Sequence, residues 1–351
     1  MQPFTYTGLP TRVIFGHGTL EKLGPEVDRL GISRALVLST PHQRDMAEDT
    51  AQRLGSLAAG IFSEAAMHTP VDVTERAMRE VERGGADGIV AIGGGSTTGL
   101  GKAIALRTDL PQLVVPTTYA GSEMTPILGQ TENGRKTTLR DPKVLPETVI
   151  YDVSLTLGLP VKLSAVSGLN AIAHAVEALY AQDRNPVIDL MAEEGIAALA
   201  RSLPATITKP DDLDARSDAL YGAWLCGICL GSVGMALHHK LCHTLGGMFN
   251  LPHAETHAVI LPHAMRYNMQ AAPIAAGRVA RALGAGDAAK GLQNLARRVG
   301  APLSLKEIGM TAEGIDPAVA QAMANPYWNP EPLIEARIRD LLERAFHGSD
   351  V

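Results

Sequence analysis

Cysteine, aromatic rings and blocks of like charge are all scarce in this chain, and each scarcity closes off a class of protein. Three cysteines in 351 residues cannot form a closed disulfide set, which points to a reducing compartment. Aromatic residues make up 4% of the chain, and no run of lysine and arginine interleaves with them, so a nucleic-acid surface is not expected. The net charge of -6 is spread along the sequence rather than gathered in a tail. No uncharged apolar stretch is long enough to span a bilayer, and MQPFTYTGLP lacks the basic and apolar regions of a secretory signal. A cytoplasmic protein with no membrane partner is expected. Two phosphate-binding signatures are missing as well: there is no GxGxxG after the first strand and no GxxxxGK[ST] anywhere. An ordinary dinucleotide fold and a P-loop ATPase are thereby disfavoured.

What is present is a dense, apolar chain (46% hydrophobic residues) of a length that favours two domains. Short apolar runs alternate with helical stretches in the first 150 residues: RVIFG at 12–16, ALVLST at 35–40, GIVAIG at 88–93, LVVPTT at 113–118 and TVIYD at 148–152. Several are apolar on consecutive residues, as in parallel strands buried on both faces, so a parallel sheet covered by helices is expected. VTERAMREVERGG at 73–85 repeats Val73, Ala77 and Val81 at helical spacing and stops on a glycine pair. From about residue 155 helical patterns follow one another without a convincing strand. The expected organisation is an α/β domain over 1–155 and an all-helical domain over 156–351, with a ligand cleft between them. Cys226 and Cys229 form one CxxC inside LYGAWLCGICLG, and without a second pair they are read as buried packing.

GGGSTTGLGKAIAL at 93–106 follows a strand and opens a helix. Its glycines expose backbone N–H groups where the helix dipole favours an anion, with Lys102 further along. PTTYAGSE at 116–123 ends the next strand and adds Thr117, Thr118, Gly121 and Ser122; side by side the two turns could grip a pyrophosphate. At the end of the second strand, Ser39, Thr40 and Pro41 stand where an acid would select NAD, and Arg44 follows, so use of NADP as well as NAD is open.

Six of the eleven histidines fall in LHHKLCHTLGGMFNLPHAETHAVILPH at 237–263. On a helix His239 and His243 share a face, while upstream Asn170 and His174 lie four residues apart on another. His174, His239 and His253 could ligate iron or zinc, but the fourth position is the neutral amide of Asn170, a weak donor. His257 and His263 are read as hydrogen-bonded interior residues. Without a metal, imidazoles still donate protons and, as cations, hold carboxylates, which suits an anionic substrate.

In order along the chain, GGGS with Lys102, PTTYAGSE, SGLNAIAHAVEALY and HHKLCHTLGGMFNLPH resemble the iron-containing (group III) alcohol dehydrogenase family over essentially the full length. The resemblance is strongest to a branch that reduces the carbon–carbon double bond of maleylacetate to give 3-oxoadipate in aromatic-compound catabolism. It implies a dehydroquinate synthase-like architecture with a Rossmann-like first domain, a homodimer, NADH or NADPH as cofactor, a dicarboxylate substrate and no metal. By motif position, Ser39, Gly94, Gly95, Ser96, Thr97, Thr117, Thr118, Tyr119 and Ser122 would contact the cofactor, with His243 facing the nicotinamide. Asn170, His174, His239 and His253 would occupy the former metal site. His243 or His253 would donate the proton, His174, His239 and Lys162 would hold carboxylates, and Tyr327 would close the site. Two positions depart from the family: Asn170 replaces the metal-binding aspartate, and Gly99 replaces the acid of GGGSxxD. PTTYAGSE is also one residue shorter than the usual turn. The rival readings are a metal-dependent alcohol or aldehyde dehydrogenase, a dehydroquinate synthase-type lyase and a nucleotide-binding regulator without chemistry.

Overall fold

The computed structural model describes residues 3–132 and 135–351. It comprises two compact units: Gly8–Leu159, and Pro160–Val351 together with residues 3–7. The division lies four residues beyond the expected 155. At that end of the unit the Asp152 carboxylate accepts the backbone N–H of Gly18, Leu20 and Ser154 and ties the last strand to the start of the domain.

In the first unit, strands β1 (Arg12–Gly16), β2 (Ala35–Leu38), β3 (Ala58–Phe62), β4 (Gly88–Gly93), β5 (Gln112–Pro116) and β8 (Thr148–Asp152) form one sheet. Its order is β1-β8-β5-β4-β2-β3 with every pairing parallel. Helices α1 (Leu23–Arg29), α2 (Arg44–Leu54), α3 (Val71–Gly84) and α4 (Gly95–Thr108) alternate with the strands. The inner strands β2, β4, β5 and β8 are buried throughout. Each fully covered Val, Leu or Ile there contributes roughly 1.5–3 kcal/mol, which is why these apolar runs are held in the sheet. α3 ends as its sequence suggests, with Gly85 in the left-handed region at φ 58°. Two elements were not expected: the edge strand β3, and an antiparallel hairpin of β6 (Ile127–Glu132) and β7 (Arg135–Arg140).

The second unit is helical among its described residues: α5 (Val161–Ala178), α6 (Pro186–Thr208), α7 (Leu213–Ser232), α8 (Leu237–Phe249), α9 (His253–Asn268), α10 (Pro273–Ala282), α11 (Ala288–Arg298), α12 (Ile315–Ala324) and α13 (Glu335–His347). An apolar core joins α8, α9, α12 and α13 through residues such as Leu241, Leu245, Ile260, Val319 and Leu342. α6 and α7 approach closely because Gly195 and Gly222 face one another. A Cβ on Gly195 would lie 2.9 Å from Cys226 Sγ, and one on Gly222 would lie 2.9 Å from Leu199 Cγ. Cys226 and Cys229 are buried in this packing as free thiols, and burial pushes their pKa up. Among the described residues no single helix is long and apolar enough to cross a membrane.

Candidate functional site

Parallel strands present their carboxyl ends together, and in the first unit β4, β5 and β2 converge there on a polar turn. Gly93 ends β4 at φ 149°, where a Cβ would lie 2.5 Å from Thr97 Oγ1 and 2.7 Å from Gln43 Oε1. At Gly94, the N-cap of α4, a Cβ would lie 2.9 Å from Thr118 Cγ2. Only glycine fits these approaches, so the N–H groups of Gly95 and Ser96 open the helix without side chains crowding them and without intrahelical acceptors. Thr97 Oγ1 and Ser122 Oγ are buried and lack a hydrogen-bond partner. Such orphaned hydroxyls beside a glycine cradle fit the oxygens of a bound pyrophosphate.

The three strand ends are tied together by polar bonds. Gln43 Nε2 donates to Thr117 Oγ1 at 2.9 Å, Thr40 Oγ1 donates to Gln43 Oε1 at 3.2 Å, and Thr117 N donates to Gly93 O at 3.0 Å. Ser39 lies buried at the end of β2, and Tyr119 is buried behind the half-buried Thr118. Lys102 does not reach the turn's surface. It is buried, and its Nζ donates to Ser122 O, Thr125 O, Thr125 Oγ1 and Ile127 O, so it pins the loop that carries Ser122. Burial pulls its pKa down to about 7. Glu123 beside it is raised by burial and accepts from Tyr151 Oη at 2.7 Å.

In the second unit, α5 projects Asn170, His174 and Glu177 from one face, a spacing of four and then three residues. Glu177 is completely buried. Its carboxylate accepts the N–H of Ala236 and of His238 at 2.7 Å each, at the start of α8, and Nδ1 of His239 also at 2.7 Å. These bonds fix tautomers in turn. With its proton on Nδ1, His239 has Nε2 left to accept with, and that atom meets His174 Nδ1 at 2.9 Å. His174 therefore donates from Nδ1, and its Nε2 faces the amide Nδ2 of Asn170 at 3.4 Å. A directed chain results, running Asn170 to His174 to His239 to Glu177.

Both nitrogens of His174 and of His239 are engaged in that chain, and Asn170 offers a neutral amide in place of a carboxylate, its Oδ1 buried without a hydrogen-bond partner. Among the described residues His238, Cys242 and His257 bring their ligand atoms within 4.8 Å of one another.

Around the chain the other imidazoles cluster. The His253 ring is 4.4 Å from that of His257, and His257 is 5.0 Å from His239. His238 Nε2 and His257 Nδ1 are 2.9 Å apart; burial first, and neighbouring imidazoles second, hold both well below the usual imidazole pKa, so this pair is neutral. His243 and His253 are the half-buried members, and His243 Nδ1 bonds Tyr327 Oη at 3.1 Å, so Tyr327 does join the cluster. Lys162 does not. It is exposed on the first turn of α5, eight residues and about 12 Å of helix before Asn170. Sequence reasoning missed Glu177, although a carboxylate in the apolar run IAHAVEALY, in register with Asn170 and His174, is a visible sign.

His263 makes the acid behaviour testable. Burial, then the Arg344 charge, push its pKa down to about 4. The unfolded chain takes this proton near pH 6.5 and the folded chain only near 4, so its share of stability, present above 6.5, is lost as pH falls through that window. The loss is about 3 kcal/mol. His238 and His257 act in the same direction. Urea unfolding from pH 7 to 4.5 should show a declining stability whose slope is shallower by about one proton in His263→Gln; equal slopes would contradict the assignment.

Residues 10–153 match the family described as iron-containing alcohol dehydrogenase, and residues 164–346 match the Fe-containing alcohol dehydrogenase family, C-terminal. The chain is 61% identical over 349 residues to a maleylacetate reductase of a Rhizobium species, strain MTP-10005, with 99% of each covered. A maleylacetate reductase of Burkholderia cepacia is 60% identical over 348 residues, again with 99% of each covered. Among solved structures, maleylacetate reductase from Agrobacterium tumefaciens has a TM-score of 0.97 and 60% identity, covering 100% of both chains.

Proposed function

This chain belongs to the iron-containing alcohol dehydrogenase family, and from that premise we propose that it reduces the carbon–carbon double bond of maleylacetate to 3-oxoadipate with NADH or NADPH, and without a catalytic metal. It is an oxidoreductase, as its maleylacetate reductase relatives are. The observation that carries the metal-free reading is the closed chain from Asn170 to Glu177, which spends on hydrogen bonds the nitrogens a metal would need.

A reduced nicotinamide dinucleotide, when bound, supplies the hydride. The N–H groups of Gly95 and Ser96, with Thr97, Thr117, Thr118 and Ser122, hold its pyrophosphate, and Ser39 lies toward its ribose. Reduction of an alkene conjugated to a ketone places negative charge on the ketone oxygen, and a proton must reach the adjacent carbon. The half-buried imidazole of His243 donates it, with the Tyr327 hydroxyl in hydrogen bond behind it, and His253 stands beside the same cluster. Asn170 keeps a second amide hydrogen for the substrate's anionic oxygens while the first is held by His174.

The test is oxidation of NADH and NADPH with maleylacetate beside a panel of aldehydes, before and after chelation, with metal analysis of the protein. Turnover of maleylacetate that survives chelation is expected. Stoichiometric iron or zinc whose removal abolishes activity would sink the metal-free reading, and no turnover of maleylacetate would sink the substrate assignment.

A further inference from the structure

Lys240 is a buried cation with no acid to meet it. It stands in the first turn of α8, between His239 and Leu241, and is 8% exposed. A lysine is unfavourable there on two counts: burial strips the ammonium of water, and the start of a helix presents the positive end of its dipole. Nothing within the chain offsets this charge. Among the described residues Lys240 makes no ion pair, and the first turn of α8 contains no acid. The Glu177 carboxylate is taken up by Ala236, His238 and His239. Buried charges are as a rule paired, so a partner from outside the chain is called for.

What Lys240 does touch belongs to the candidate site. Its Nζ lies 5.7 Å from the centre of the Tyr327 ring, and the hydroxyl of that tyrosine meets Nδ1 of His243 at 3.1 Å. His243 follows Lys240 by three residues on α8, so the two side chains leave the helix on one face, with Tyr327 against both. The face of a phenol ring attracts an ammonium but carries no net charge to balance it. An ammonium, an imidazole and a phenol thus stand together, and the member they lack is an anion. The proposed substrate brings two carboxylates. Lys162, the lysine to which the sequence points, is exposed and outside the cluster, and the neutral pair His238 and His257 brings no charge.

We infer that Lys240 takes one carboxylate of the dianionic substrate at the His243 and Tyr327 end of the cluster, and that this ion pair selects dicarboxylates over monoanions and neutral aldehydes. The inference rests on the proposed reduction of maleylacetate. A carboxylate seated on the ammonium offsets the water both have lost, and the charge-assisted hydrogen bond forms only while substrate is bound.

Turnover of maleylacetate by the full-length protein tests it, beside two monoanionic enones that each lack one of its carboxylates, 4-oxopent-2-enoate and 3-oxohex-4-enoate, taken as substrates or as competitive inhibitors. In Lys240→Met, which keeps most of the stem and loses the charge, kcat/KM for maleylacetate is expected to fall about 30-fold. The monoanion that keeps the carboxylate held by Lys240 should weaken by a similar factor, and the one that lacks it by less than twofold. The Kd for NADH, followed by nicotinamide fluorescence without substrate, should not move. The melting temperature should hold or rise, because an unpaired buried charge has been removed. Lys240→Arg, which keeps the charge in another shape, should lie between. Equal weakening of both monoanions, or a change below twofold for maleylacetate, overturns the ion pair. A fall in melting temperature would overturn it too, by showing that Lys240 is paired within the chain. Failure of the wild-type protein to turn over maleylacetate would instead remove the substrate reading on which the inference rests.

Discussion

Glu177→Gln is expected to lower kcat for maleylacetate by about 10²- to 10³-fold while leaving a folded protein. The carboxylate accepts three N–H groups, from Ala236, His238 and His239. An amide of the same shape has one acceptor oxygen and turns its NH₂ toward at least one of these donors. If it turns toward His239, that ring must move its proton to Nε2, and His174 must then reverse in its turn. The residue touches neither substrate nor cofactor, so it is a positioning residue. The distinguishing readout is a fall in kcat with NADPH binding unchanged and a displaced pH profile. A variant within threefold of wild type would show that the tautomer order is irrelevant to turnover.

The second large effect concerns Gly99, where other members of the family carry an acid. Gly99→Asp is expected to destabilise the protein by about 1–3 kcal/mol, because its Cβ would lie 2.4 Å from Thr69 Oγ1. Thr69 cannot easily yield: it is buried, β-branched and held at φ 46°, a conformation its side chain resists. Restoring the family's acid should therefore lower the melting temperature by several degrees. Adding Thr69→Gly removes the clashing hydroxyl and the strained backbone together, and the double variant is expected to recover most of the loss. A single variant as stable as wild type would mean that the helix shifts freely at this point.

These expectations show where the sequence was readable. The inner strands declared themselves because ALVL, GIVAI and LVV are buried on both faces and must be apolar throughout. β3 did not: AAGIF is short, contains Gly60 and sits at the sheet edge with most residues half-buried, so burial imposes little pattern on it. The β6–β7 hairpin hid for a similar reason, since ILGQTE and RKTTLR are mainly polar, and its clearest sequence sign is the Asn-Gly dipeptide at 133–134. Of the site, the glycine turn and the histidines were legible because each carries unusual chemistry at a fixed spacing. Lys162 was placed by charge alone, and the helix sets it more than two turns away. Glu177 and Gln43 escaped because their roles come from partners 62 and 74 residues distant, which no local pattern can announce.

The chain from Asn170 to Glu177 has a further consequence. Its far end is shut from solvent, and the Glu177 carboxylate is held there by the first N–H groups of α8 and by the Tyr180 hydroxyl. One buried anion thus seats the start of α8 and aims the His239 ring together, so the helix cannot shift without turning that imidazole.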